Sequence, residues 1–281
     1  MALVNQRIIH GDNATLVDKS KELNDFVSGE ATFPIVAADD YIYIGSDLPF
    51  NHRYFLAGST VNANVSAISI DIWDGNEWEP AVDVVDYTSV GGATLAQSGY
   101  IRWTVDRNGF FGQEDTTEDI TDLATLKIYD FYWVRLSFSA DLTAGTALKY
   151  VGFKFAEDDD LALLYPDLNL SATKSAFTSG KTNWNDQHFL AAEEIIRRLR
   201  KKHIVWSRNQ ILDWEQFYEA GIHKAAELIM TPFGDDFEDN RQRAVKKFET
   251  AMNLGTFITD RDEDGQIDER ERRFYAGLQR T

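Results

Sequence analysis

The stretch DRDEDGQIDERE, Asp260 to Glu271, places carboxylates at alternate positions around a glycine. A hard cation such as Ca2+ takes roughly six to eight oxygen ligands, and a twelve-residue loop supplies them when side chains 1, 3 and 5 converge on a Gly-centred turn. The spacing puts Asp260, Asp262 and Asp264 at those positions, Gly265 at the turn and Gln266 at the carbonyl ligand. Ile267 falls at the apolar position 8, Asp268 at the water-mediated position 9, and Glu271 at the bidentate position 12. The expected cofactor is a Ca2+ ion in a structural role rather than a sensing one, while the unpaired loop and the Gly255 break in the helix leading in favour the ion-free alternative. Without an ion the same residues are an acidic surface turn.

Other candidate sites are weaker. Trp73 and Trp78 flank the turn Asp74-Gly75-Asn76, where two rings could stack on a glycan, although such pairs usually form cross-strand contacts. The cluster Arg197, Arg198, Arg200, Lys201 and Lys202 is either a contact for DNA or an acidic partner, or the solvated face of a helix. The run Asp158-Asp159-Asp160 projects its carboxylates in different directions and reads as solvated. The five histidines lack metal spacing, and no Gly-rich phosphate loop or nucleophile elbow occurs. Two glycosidase carboxylates need no motif, so that class stays open without positive support. The expectation is a protein that is not an enzyme.

The elements that position these residues change character along the chain. Up to about Phe155 the pattern has period two. Ile42 and Ile44 alternate with tyrosines, Ile68, Ile70 and Ile72 share one side, and so do Ile101, Trp103 and Val105. Tyr132, Val134, Leu136 and Phe138 share a face, and Val151, Phe153 and Phe155 read as a last strand. Short strands at turn-punctuated spacing predict an antiparallel β-sandwich or jelly roll over 1–156. Residues 157–186 read as a linker or extended arm. From 187 to 255 the period becomes helical.

The first helix carries the stripe Phe189, Ala192, Ile195, Ile196, Leu199 and His203, with Glu193 and Glu194 four residues before Arg197 and Arg198. Ser207 and Gln210 form a capping-box pattern predicting a second helix through Ile211, Trp214, Tyr218, Ala225 and Ile229, ended by Pro232 and Gly234. A third runs from about Asp239, with Ala244, Phe248 and Met252 inward and Gly255 at its stop. Residues 256–281 are the acidic loop followed by a helix or tail. The fold class expected is α+β, a sandwich followed by a helical domain.

With 281 residues, 43% of them hydrophobic, the chain can bury real cores, and without cysteine it has no disulfide or thiolate chemistry. No run approaches the ~18 apolar residues of a membrane span, and the N-terminus lacks a signal-peptide core, which predicts a soluble product of the cytoplasm with no membrane partner. The net charge is -18, and residues 1–185 hold 27 acidic against 12 basic side chains. That balance opposes nucleic-acid binding by counterion release. It suits a surface that DNA passes without sticking.

Two parts of the chain resemble known phage proteins. IDIWDGNEWEPAVDVVDYT, LAQSGYIRWTV and FYWVRL carry the pattern Trp-x-Gly-x-x-Trp, Ser-Gly-x-Ile-x-Trp and Tyr-Trp-x-Arg. This resembles a β module of tailed-bacteriophage structural proteins. AAEEIIRRLRKK, QILDWEQFYEAGIHKAAELIM and FEDNRQRAVKKFETAMN are similar to the helical body of phage head-to-tail connector, or adaptor, proteins. The resemblance implies a virion protein of the neck, made in the host cytoplasm, that forms a ring (twelve copies by family analogy). Such a ring binds the portal and a tail or stopper protein, and DNA passes through it without specific binding. By the same analogy Arg197, Arg198, Arg200, Lys201, Lys202 and Phe274 are interface candidates. A β module of this kind also occurs in baseplate and fibre proteins, whose sandwich would hold a host glycan at Trp73 and Trp78.

Overall fold

The computed structural model describes residues 6–13, 15–27, 29–104, 131–255 and 257–272. Val105 and Phe274, singled out above, lie outside them. The chain has an α+β fold of two compact units, one reaching Gly152 and including Asp260–Gln266, the other comprising Phe153–Thr259 and the residues from Ile267.

The first unit contains the strands β1 (Gln6–Asp12), β2 (Thr15–Asp18), β3 (Ala31–Thr32), β4 (Asp40–Ser46), β5 (His52–Ala57) and β6 (Ile68–Trp73). They are followed by β7 (Trp78–Pro80), β8 (Val82–Asp86), β9 (Gly99–Thr104), β10 (Tyr132–Phe138) and β11 (Ala147–Gly152), with a short helix α1 (Ser20–Leu23) after β2. Two antiparallel sheets form, ordered β2-β1-β4-β10-β6-β7 and β3-β11-β5-β9-β8. The period-two pattern explains their assembly as a sandwich. Ile42, Ile44, Ile70, Ile72, Val134 and Leu136 of the first sheet share one buried core with Phe55, Ile101, Trp103, Leu148 and Val151 of the second. The alternate residues Ile9, Tyr43, Trp73 and Trp133 gather on the other face of the first sheet.

The second unit contains α2 (Asp158–Leu164), α3 (Ser171–Phe177), α4 (Asn185–Lys201), α5 (Tyr218–Met230) and α6 (Glu238–Leu254). One core joins Ile195, Ile196 and Leu199 of α4 to Ala220, Phe248 and Met252; another joins Ile222, Ala226 and Ile229 of α5 to Leu161, Leu168, Trp184 and Ala244. These helices satisfy the apolar stripes anticipated for α4, α5 and α6.

Several expectations change. Strand β11 stops at Gly152, and Phe153 and Phe155 pack in the helical core, where Phe155 meets Phe217 with ring centroids 5.2 Å apart. Three aromatic or apolar residues at period two cannot show which core each one enters. Residues 157–186 form α2, a tight turn at Pro166–Asn169 and α3, and Trp184 is fully buried with its Nε1 donating 2.9 Å to the Leu168 carbonyl. The polar composition suggested an arm, but Leu161, Leu168 and Trp184 suffice to anchor it. The capping box at Ser207 and Gln210 exists, yet it opens only a single 3-10 turn, and α5 begins at Tyr218.

The two i,i+4 ion pairs are also rearranged: Glu194 pairs with Arg197, Glu193 with Arg208 at 3.0 Å, and Arg198 with Glu249. For Glu193 and Arg198 a tertiary partner fixed by packing already in place replaces the intrahelical one, while Glu194 shifts to the i,i+3 partner on its own helix. His203 leaves the stripe altogether and takes φ 57 after α4. The Ile204 N–H donates to Leu199 O and the His203 N–H to Arg200 O, the double bond of a Schellman stop. Gly255 ends α6 with φ -65 rather than a left-handed turn. A Cβ there would lie 2.5 Å from Ala251 O and 2.6 Å from the Phe257 ring, so close approach explains that glycine.

Candidate functional site

In the first unit, one carboxylate oxygen from each of Asp260, Asp262 and Asp264 lies within 4.8 Å of the others. The backbone builds this convergence. Glu263 and Gly265 adopt φ 67 and 81, and the fully buried Asp260 accepts from the Glu263 N–H at 2.7 Å and the Gly265 N–H at 2.9 Å. Asp264 Oδ1 accepts from the Gln266 N–H at 2.8 Å. These bonds fix the Asp260 carboxylate within the turn. Three like charges this close repel one another, and a hard divalent cation would offset that repulsion. The donor set is all oxygen, which fits calcium or magnesium chemistry rather than a soft metal.

Asp268 and Glu271 belong to the second unit, where they cap a helical turn over residues 269–272. Asp268 Oδ1 accepts from the Arg270 and Glu271 N–H groups at 2.7 and 2.9 Å, while Glu271 Oε2 accepts from the Asp268 N–H at 3.2 Å. This reciprocal pair is a capping box that the reading of a twelve-residue loop did not anticipate.

The tryptophan hairpin is a packed structure. Trp73 and Trp78 are cross-strand partners with ring centroids 5.4 Å apart, and Trp73 is 5% exposed. The Arg135 guanidinium lies 4.8 Å from the Trp78 ring and 4.7 Å from the Tyr41 ring, and it donates to Asp71 at 2.7 Å. Tyr43 of β4 also reaches Trp78, with ring centroids 5.9 Å apart, over the same face of the sheet. A glycan platform needs an open ring face. Trp73 offers none, and Trp78 is half-buried.

Of the five basic residues near the end of α4, Arg197 pairs with Glu194 of the same helix, and two others are held by partners outside it. Arg198 forks onto Glu249 with both nitrogens at 2.5 Å and lies over the Phe248 ring at 5.3 Å, and Lys202 donates to Met252 O at 3.1 Å and Asn253 Oδ1 at 2.9 Å. The Arg198 hydrogen bond, with the guanidinium's charge, holds the Glu249 carboxyl below its ordinary range against the opposing effect of burial. Arg200 and Lys201 remain exposed.

Sequence reasoning missed a polar cluster in the second unit. Asp158 accepts from Lys174 Nζ at 2.9 Å and from the Trp184 N–H at 3.1 Å, and its Oδ1 lies 3.2 Å from His188 Nε2. Burial opposes the Asp158 charge, but these partners together bring its pKa down to about 2. Lys154, 2% exposed, pairs with Glu157 and donates to Asn185 Oδ1 at 2.8 Å. The Asp158–His188 pair ties α2 to α4. Its only sequence signal was the acidic run at 158–160, whose partners lie up to 30 residues away.

Comparison of the chain with protein-family models, with curated proteins and with solved structures returned no match. The likeness to phage proteins therefore rests on the residues alone, and the structure explains what those residues do. Ser98 Oγ accepts from the Ala57 N–H at 3.0 Å, a Cβ on Gly99 would lie 2.6 Å from Tyr87 O, and Ile101 and Trp103 enter the core. In Tyr-Trp-x-Arg, Tyr132 packs on the core, Trp133 is fully buried on the opposite face, and Arg135 braces the tryptophan hairpin. Each position of the pattern is a packing or backbone requirement of one sandwich.

Proposed function

We propose that this chain is a non-enzymatic structural protein of a tailed-phage particle, a neck component that assembles with copies of itself between portal and tail. The observation that carries the reading is the convergence of the pattern's separate segments in a single sandwich, with Asp71, Trp78 and Arg135 in one stack. The helical unit supplies docking faces, and the acidic balance lets DNA pass without counterion release. In this role Asp260, Asp262 and Asp264 hold a Ca2+ ion that rigidifies the turn.

Antibody-gold labelling of intact particles tests the assignment. Label at the head-to-tail junction is expected. Label at the distal tail would transfer the chain to the baseplate or fibre and return attention to the aromatic hairpin; unlabelled particles would overturn a virion role.

A further inference from the structure

The second unit carries a cavity of about 240 Å3 whose floor includes Leu168, Met230 and Phe237 and whose rim carries Asn240, Arg243 and Lys247. Ligand pockets for small molecules start at about 300 Å3, so this one suits a single anchoring side chain better than a cofactor. Its rim sets two cations against one acid, Asp167, and neither Arg243 nor Lys247 is in an ion pair among the described residues. Apolar surface continues beside it on α2 and the loop before α3, where Leu163 and Leu170 are 77% and 55% exposed. The chemistry fits an apolar anchor flanked by carboxylates.

This chain presents such an anchor elsewhere. Tyr87 is 46% exposed, and among the described residues of the first unit it is the only exposed large aromatic. It directly follows β8, the terminal strand of its sheet, with Asp86 beside it and the exposed Asp83 four residues before. Asp83 has φ 51 at a register shift between Val82 and Val85, which bends the strand and blocks simple strand-to-strand addition. An edge protected in this way can still contribute side chains to a contact.

We infer that the cavity under Arg243 and Lys247 receives the Tyr87 edge of a second copy, giving a head-to-tail contact between two different surfaces. Contacts of that type generate rings or filaments rather than closed dimers. Charge complementarity selects the occupant: beside Tyr87 the two carboxylates of Asp83 and Asp86 outnumber the one cation, Arg102, which lies 5.8 Å from the Tyr87 ring, and the rim of the cavity is basic. The inference rests on the reading of the chain as a self-assembling structural protein, and it names the surfaces involved.

The test is native mass spectrometry and sedimentation of the full chain at low and high salt. The wild type should assemble and lose order with salt. Arg243→Glu with Lys247→Glu, and separately Tyr87→Ala, should weaken assembly by about tenfold or more, as truncating a buried charge pair or an aromatic anchor does. Adding Asp83→Lys to the double Glu variant should restore it. All four residues are exposed, and melting curves within a few degrees of the wild type would show that folding is kept. Assembly unchanged in the variants would overturn the inference and leave the assembly reading standing. Loss without rescue by Asp83→Lys would overturn the named occupant. A wild type that stays monomeric would overturn both.

Discussion

His188 is buried to 1% exposure with its Nε2 3.2 Å from the Asp158 carboxylate, so α4 meets α2 through an imidazole that the fold keeps neutral. Burial lowers its pKa against the opposing pull of Asp158, and burial also lowers the pKa of His10, His52 and His223. Unfolded, each would protonate near 6.5. As pH falls through about 6.5 the unfolded chain takes up protons that the folded chain refuses, so stability is full above that pH and declines below it. A second loss follows between about 3.8 and 2, where Asp158 protonates only when unfolded. Urea melts from pH 8 to 3 should show both limbs, and Asp158→Asn should shrink the lower one, leaving the share of Glu249, whose carboxyl Arg198 also holds low. A midpoint flat from pH 7 to 5 would contradict this account.

Two glycines are required by neighbouring atoms rather than by turn geometry. A Cβ on Gly99 would lie 2.6 Å from the Tyr87 carbonyl oxygen, which is backbone and cannot swing away; one on Gly45 would lie 2.7 Å from the fully buried Trp133 ring. Alanine at either position should cost roughly 1–3 kcal/mol through overpacking, with Gly99→Ala the worse. Chemical denaturation of both variants measures this. Equal or higher stability for Gly99→Ala would show that β8 and β9 can separate at little cost.

The sandwich was legible because a half-buried strand writes period two into its own sequence, as Ile42 and Ile44 against Tyr41 and Tyr43 do. The α4 and α6 stripes were legible for the same local reason. What failed was non-local. Nothing near Phe153 or Phe155 says which core receives them, Glu193 and Arg198 find partners 15 and 51 residues away, and Asp158 gathers Lys174 and His188 across two helices. The acidic turn was read from spacing, and the structure brings Asp260, Asp262 and Asp264 together as that spacing required. It also gives Asp268 and Glu271 a capping role, because Asp and Glu in this spacing serve a helix N-terminus as well as they serve an ion.

The basic residues of α4 should separate by function. Arg198→Ala removes a bidentate partner of Glu249 and packing over Phe248, and should cost on the order of 1 kcal/mol, kept small by the exposure of Glu249. Arg200→Ala with Lys201→Ala touches only solvent and should leave stability within about 0.5 kcal/mol. If the double variant still abolishes attachment in a particle-assembly assay, that surface is an interface. If instead it melts as early as Arg198→Ala, the pair has a structural role in the fold.

The acidic turn offers a direct measurement of ion binding. An ion held by the native state alone stabilises it by RT ln(1 + [L]/Kd), about 2.7 kcal/mol at a hundredfold excess over Kd. Calcium should therefore raise the melting temperature. Magnesium should raise it less, because it dehydrates reluctantly and demands near-octahedral geometry at about 2.0–2.1 Å. Asp260→Ala with Asp264→Ala should abolish the gain. Because Asp260 also accepts from the Glu263 and Gly265 N–H groups, that variant should start from a lower melting temperature even without calcium. Asp262→Asn separates the two effects: Asp262 is exposed and its charge serves the ion, so calcium affinity should fall while the calcium-free melt stays in place. A wild-type melting curve unmoved by millimolar calcium would leave the three carboxylates as an acidic turn held by its own backbone.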